Sequence, residues 1–224
     1  MLNSYRAVLF DLDGTLVDHS NAARAGVIAW SQELGIPPDP ARWQALEQQW
    51  FLAYEHGKLT HSGQRAARVR EYLHEPKLSE TAALQLFNGF LHQYIASMQP
   101  FSGAAEVLEQ CFDCGQLVGI ATNGAASLQI TKLRTTGLWD DRLIMLAAVE
   151  MEAAKPNPEF YTRALDIVGT APADTIMVGD TLPNDVLAPI AAGIAAIHVD
   201  HAGTGTTDPR YPTIRDLSEL LNAP

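Results

Sequence analysis

The sequence predicts an α/β fold: a parallel sheet flanked by helices, with one all-helical insertion after the first strand. Three observations predict it. Ala7 to Phe10 is a short, wholly apolar run, the pattern of a strand buried on both faces. From Asn21 to about Ser97 the apolar periodicity is helical and no convincing strand interrupts it. Beyond Gly103, helical segments alternate with short apolar runs, the rhythm of parallel strands joined by right-handed crossovers.

After the strand at 7–10, helices are expected over 21–34, 40–55, 63–73 and 79–98, with breaks at Pro37-Pro38-Asp39-Pro40 and Glu75-Pro76. Trp30, Trp43, Trp50, Phe51, Tyr54 and Tyr72 recur there at spacings that suit helical faces. Past Gln99-Pro100-Phe101-Ser102-Gly103, a helix over 104–114 leads to the apolar run 117–121. A helix over 126–135 leads to the run 143–148, and one over 158–168 leads to 175–178. A helix over 184–192 leads to 195–199, and a last helix is expected near 213–221. The chain therefore divides into a core, 1–16 with 99–224, and an insertion, 17–98. Two chain crossings between two bodies make a natural hinge.

Composition bounds what such a body can do. A chain of 224 residues buries enough core to need no disulfide or metal staple. The net charge of −11 disfavours nonspecific binding to nucleic acid or to an anionic membrane, so neither partner is expected. An anionic ligand would need a local positive site. The start, MLNSYRAVLF, is too short an apolar stretch for a signal peptide, and no run approaches the roughly 18 residues of a membrane span. A cytoplasmic location is expected, and oligomeric state is not specified. Cys111 and Cys114, in CFDC, could form a redox pair but read better as small core residues of an amphipathic helix. A zinc site would need two further ligands at matching spacing, and none appears.

Three apolar runs end in small or acidic polar residues. VLF ends in Asp11-Leu12-Asp13-Gly14, LVGIA ends in Thr122-Asn123-Gly124, and TIMVG ends in Asp180-Thr181, with Asp185 just beyond. Ligands of an open parallel sheet bind beyond the carboxyl ends of its strands, so the three clusters should face one crevice. A single aspartate there is usually a turn former or cap. Asp11 and Asp13 together are harder to explain that way, because adjacent like charges are costly without a cation. An EF-hand is excluded, since its sixth position would be Leu16 and its twelfth Ala22.

Asp11, Asp13, Asp180 and Asp185 offer oxygen ligands without clustered His or Cys, a set that selects magnesium or calcium. Magnesium pairs with one or two carboxylates plus a substrate phosphate, which suggests a phosphate-bearing small molecule. Thr122 and Asn123 precede a helix whose N-terminus attracts anions, and Gly124 lets backbone approach closely. Lys155, in Ala154-Lys155-Pro156-Asn157-Pro158, reads as a solvated surface charge or as a partner for that phosphate.

Together these motifs resemble the haloacid dehalogenase superfamily, in its phosphohydrolase branch. DLDGT at 11–15, TNG at 122–124, Lys155 in AKPNP and GDTLPND at 179–185 are similar to the four family motifs, in order. The resemblance implies a Rossmann-like core with a helical cap, the insertion. It implies that Asp11 is the nucleophile and forms an aspartyl-phosphate, and that Asp13 is the general acid and base. It implies that Asp11, the Asp13 carbonyl and Asp180 hold Mg²⁺, and that Asp185 holds the metal's water shell. Thr122 and the Asn123 amide would bind phosphoryl oxygens, with Lys155 neutralising charge. Dehalogenases of the superfamily lack an acid at the second position, so Asp13 argues for phosphate ester chemistry.

TNG with GLWDDRL and AKPNPEFYTRAL looks most similar to bacterial pyrimidine 5′-nucleotidases, and phosphoglycolate phosphatases share much of it. A hexose-phosphate mutase and a non-catalytic phosphate-ligand binding protein stay open. In the insertion, Arg65 and Arg68 are three apart and share a helical face: a solvated basic face, or a site for a substrate's anionic group. His56 and His61 are poorly spaced for a metal, and His198 and His201 read as strand-end residues. Trp43, Trp50, Phe51 and Tyr54 either stack on a nucleobase or hold the insertion's helices together.

Overall fold

A computed structural model describes residues 1–205 and 208–221. It divides into two compact units, Met1–Asp18 with Gln99–Pro224, and His19–Met98. Among the described residues, no helix is long and apolar enough to cross a membrane.

The first unit is built on a parallel sheet. Its strands are β1 (Ala7–Phe10), β2 (Leu117–Thr122), β3 (Ile144–Ala147), β4 (Thr175–Gly179), β5 (Ala195–Val199) and β6 (Thr213–Ile214), in the spatial order β3-β2-β1-β4-β5-β6. Every neighbouring pair is parallel, and Phe10 stands opposite Ile120 on one side and Val178 on the other. The strands after β1 proceed outward first on one side and then on the other. That makes β1 the switch point, where the carboxyl ends of an open sheet leave a crevice. All four residues of β1 are buried, as expected for a parallel strand covered on both faces. Ala7, Leu9 and Met177 pack with Phe160, Tyr161 and Ala164 of the helix Pro158–Val168. Val8 and Phe10 alternate to the opposite face and are equally buried.

Two expectations for this unit change. The segment near 213–221 begins as strand β6, because Thr213 and Ile214 pair with His198 and Val199, and helical turns cover only Leu217–Leu220. A capping box between Asp216 and Glu219 sets that start. The helix over 184–192 begins earlier, at Leu182, as a wider π-type turn over Leu182–Leu187, and becomes α-helical only over Ala188–Ala191. Of the two cysteines, Cys111 is buried, with its thiol pushed up to about 12 chiefly by burial, whereas Cys114 is exposed. Only the first behaves as a core residue.

The second unit holds four helices, α1 (His19–Glu33), α2 (Pro40–Glu55), α3 (His61–Tyr72) and α4 (Glu80–Ala96). Side-chain oxygens of Asp39, Thr60 and Ser79 accept from the first-turn N–H groups of Arg42, Gly63 and Ala82, which fixes three of the starts. Trp30, Trp43, Tyr72, Phe87 and Phe90 form its core, with Trp43 4.6 Å from Phe90 and 5.3 Å from Trp30 between ring centroids. Trp43 is 1% exposed, so it holds helices together. Truncating such a ring to alanine costs about 3–5 kcal/mol. Trp50 donates to Glu71 at 3.0 Å, and Phe51 and Tyr54 meet at 5.6 Å.

Candidate active site

The site is assembled at the carboxyl ends of β1, β2 and β4, where the polar residues of the sequence motifs fall. Asp11 comes directly after β1, and its N–H donates to the Val178 carbonyl at 2.9 Å, so the ladder continues one residue past the strand. Its carboxylate is buried. Nζ of Lys155 donates to Asp11 Oδ1 at 2.8 Å, to Asp185 Oδ1 at 2.6 Å and to the Ala121 carbonyl at 2.8 Å. Lys155 is therefore not a solvated surface charge. Burial alone favours its neutral form, but Asp11 and Asp185 outweigh burial and raise its pKa above the usual lysine range.

The loop that carries Lys155 is held by Asn123. Asn123 Oδ1 accepts from the Lys155 N–H at 2.7 Å, and Asn123 Nδ2 donates to the Lys155 carbonyl at 2.8 Å. The Asn123 side chain is thereby committed to positioning. Thr122 is buried beside it, and its Oγ1 accepts from the Gly124 N–H at 3.1 Å and from Gln129 Nε2 at 2.5 Å. After α5 (Ala104–Asp113) and β2, the next helix, α6 (Ala126–Thr135), is not open at its first N–H, because Ala126 donates to the carboxylate of Glu150 at 3.0 and 3.1 Å. Glu150 thus meets the positive end of α6 at its first N–H.

Asp11, Asp180 and Asp185 each bring a carboxylate oxygen within 4.8 Å of the others. Burial, and then Asp185 and Asp180, push the Asp11 carboxyl well up, while Lys155 opposes them. Asp180 is raised to about 6 by burial and by Asp185. Crowded carboxylates that resist ionisation are what a divalent cation relieves, and an all-oxygen donor set suits magnesium. Close backbone packing makes the crowding possible. A Cβ on Gly179 would lie 2.4 Å from Cβ of Asp185, and one on Gly14, where φ is +94°, would lie 2.4 Å from Asp180 Oδ2. Thr15 Oγ1 donates to Asp11 Oδ2 at 3.3 Å, and the His198 Nε2 donor meets the Asp180 carbonyl at 3.0 Å.

The Asp13 side chain faces α6. Its carboxylate accepts from Lys132 Nζ at 2.6 and 2.5 Å and from Gln129 Nε2 at 3.1 Å. Its side chain is not part of the three-acid cluster. Sequence reasoning missed Lys132 and Gln129. Their signal was present: they lie one turn apart on the first helix after TNG, and side chains three apart share a face.

The model of the family described as "Hydrolase: haloacid dehalogenase-like hydrolase" matches residues 5–193. The chain belongs to the haloacid dehalogenase-like hydrolases. A phosphoglycolate phosphatase of Xanthomonas campestris is 30% identical over 197 residues, covering 86% of this chain and 81% of the relative. The pyrimidine 5′-nucleotidase YjjG of Escherichia coli is 28% identical over 154 residues, covering 68% and 67%. The fold matches the crystal structure of the putative HAD-hydrolase YfnB of Bacillus subtilis, bound to magnesium. That match has a TM-score of 0.83 at 22% identity and covers 96% of each chain. This hydrolase is thus similar to proteins named as a phosphatase and as a 5′-nucleotidase, and its parallel sheet is the Rossmann-like core of the family.

In the helical unit of this hydrolase, Arg68 and Arg65 part company. Arg68 is buried, donating to Glu47 Oε1 at 2.6 Å and Gln64 Oε1 at 3.0 Å, and it lies over the rings of Trp43 and Phe87. A solvated basic face is therefore ruled out at Arg68. Arg65 also lies over Phe87, at 5.2 Å, and its pKa is lowered to about 10 by burial and by Arg68. His19 completes the group, 3.1 Å from Glu47 and 2.7 Å from the Tyr94 hydroxyl.

Proposed function

We propose that this hydrolase is a magnesium-dependent phosphomonoesterase acting on a small phosphorylated metabolite through an aspartyl-phosphate. The observation that carries the reading is Asp11 itself: a buried carboxylate under the Lys155 ammonium, within 4.8 Å of two further acids. Asp11 and Asp180, with Asp185 and the Asp13 carbonyl beside them, would hold Mg²⁺. When bound, that ion supplies charge neutralisation for the incoming phosphate.

The chain's own residues supply the rest. An Asp11 oxygen attacks phosphorus, the ester P–O bond breaks, and the Asp13 carboxyl gives its proton to the leaving alcohol. Water then attacks phosphorus, its proton passes to the Asp13 carboxylate, and the bond to Asp11 breaks, freeing phosphate and restoring Asp11. Lys155 meets negative charge at Asp11 in both steps. Thr122 and the Asn123 backbone N–H face the phosphoryl oxygens.

For substrate, a nucleoside 5′-monophosphate is the leading reading, supported by the TNG and AKPNP segments and by the similarity to YjjG. The similarity to a phosphoglycolate phosphatase supports the second reading, a phosphate ester bearing a carboxylate. Arg68 is already matched by Glu47, so Arg65 is the one of the two arginines proposed to bear on substrate specificity. Purified protein with Mg²⁺ is expected to release phosphate from 4-nitrophenyl phosphate, and Asp11→Asn is expected to abolish it. Absence of turnover by metal-loaded protein on a panel of nucleotides, phosphoglycolate and sugar phosphates would overturn the reading. Isomerisation dependent on a bisphosphate primer would point to a mutase, and tight binding without turnover to a binding protein.

A further inference from the structure

We infer that Lys132, assisted by Gln129, is the positioning residue for Asp13, an inference that rests on the phosphatase reading above. The geometry is specific. Lys132 Nζ reaches both carboxylate oxygens of Asp13, at 2.6 and 2.5 Å, and Gln129 Nε2 reaches Oδ2 at 3.1 Å. Three hydrogen bonds on two oxygens define the plane of the carboxylate as well as its place. The same Gln129 amide donates to Thr122 Oγ1 at 2.5 Å, which ties the acid to the end of β2. The other end of that amide, Oε1, is buried without a hydrogen-bond partner, so Gln129 satisfies Asp13 and Thr122 at its own expense.

The cost of burial makes the arrangement more than incidental. The Lys132 side chain is 4% exposed, although lysine is among the residues least often buried. It leaves α6 on the same face as Gln129, one turn beyond it, and only the cap residue Ala125 separates Thr122-Asn123-Gly124 from α6. The strand end that presents Thr122 therefore also sets the helix that presents the clamp. Asp13 itself sits in a turn closed by the Leu16 and Val17 N–H groups, which both donate to the Leu12 carbonyl at 3.0 Å, backbone contacts that leave the Asp13 side chain to be fixed from α6.

Proton transfer needs donor and acceptor within hydrogen-bond reach, and a misplacement of about 1 Å costs on the order of a hundredfold in rate. A leaving alcohol of high pKa needs the proton as the ester bond breaks, whereas a 4-nitrophenolate departs without it. The test compares kcat/KM, which reports the first chemical step, for an alkyl phosphate and for 4-nitrophenyl phosphate. Lys132→Met is expected to lower kcat/KM at least about tenfold on the alkyl ester and less than about threefold on the aryl ester, the bias of a misplaced general acid. Lys132→Arg, which keeps a donor there, is expected to recover most of the alkyl activity. Gln129→Leu, scored for the same bias, serves if Lys132→Met does not fold, as judged by its thermal transition.

Equal losses on the two esters would overturn the inference in favour of a structural or substrate-binding role. Asp13→Asn separates the two levels. Its bias with none in Lys132→Met overturns positioning alone. No bias in Asp13→Asn, in an enzyme active on both esters, overturns the acid role and this inference with it.

Discussion

Nζ of Lys155 lies 2.8 Å from Oδ1 of Asp11, and both groups are buried. The same ammonium is 2.6 Å from Asp185, so one cation serves two carboxylates at the carboxyl edge of the sheet. Removing one partner of such a group leaves uncompensated buried charge. Lys155→Met is expected to destabilise the metal-free protein by about 3–5 kcal/mol at neutral pH, read from urea unfolding. It is also expected to lower kcat by at least about a hundredfold, the scale of a lost electrostatic contact to the reacting group. A variant of unchanged stability would show that the three groups are not ionised together.

The acid cluster makes a pH prediction for the metal-free protein. Asp180 has a folded-state pKa near 6 against an ordinary 3.8, so the folded state binds the proton more tightly than the unfolded state does. Stability from this group is present below the ordinary value and is lost as pH rises from about 4 to about 6. The melting temperature without metal should fall across that window, and Mg²⁺ should restore it. Asp180→Asn should remove the fall contributed by this group. A metal-free melting temperature that rises through the window, unaltered by Asp180→Asn, would contradict the crowding seen at the site.

The helical unit predicts the opposite slope. Glu47 is held below the usual carboxylate range because Arg68 and His19 outweigh the cost of its burial. Its contribution is present above the ordinary 4.5 and is lost on acidification toward its folded-state value. Glu47→Gln should cost about 3–5 kcal/mol at pH 7, because Arg68 stays buried without its counter-charge. Denaturant titration at pH 7 and pH 3 should show the difference between variant and parent shrinking at the lower pH.

Asp11, Asp180, Asp185 and the TNG segment were legible as a group because strand ends are a local property. An apolar run of four or five residues stops, and the next residues must face the crevice: Asp11, Thr122 and Asp180 are placed by that rule. The parallel sheet was legible for the same reason, through strands whose every residue is apolar. Strand β6 was not, because two residues carry no period, and Thr213 becomes a strand only by pairing with His198.

Side-chain partnership was the part that local pattern could not reach. Lys132 meets Asp13 across 119 positions of chain, and Lys155 meets Asp11 across 144. Arg68 looked like one of several exposed arginines until α3 was packed beside α2 and Glu47. Periodicity says which face of a helix is turned inward. It carries no information on which charge waits there, since that depends on how separate elements are brought together. The alphabet of the site is local and was readable from the chain; the pairing of each cation with its acid belongs to the folded state, because burial of a charge is tolerable only beside a partner that folding supplies.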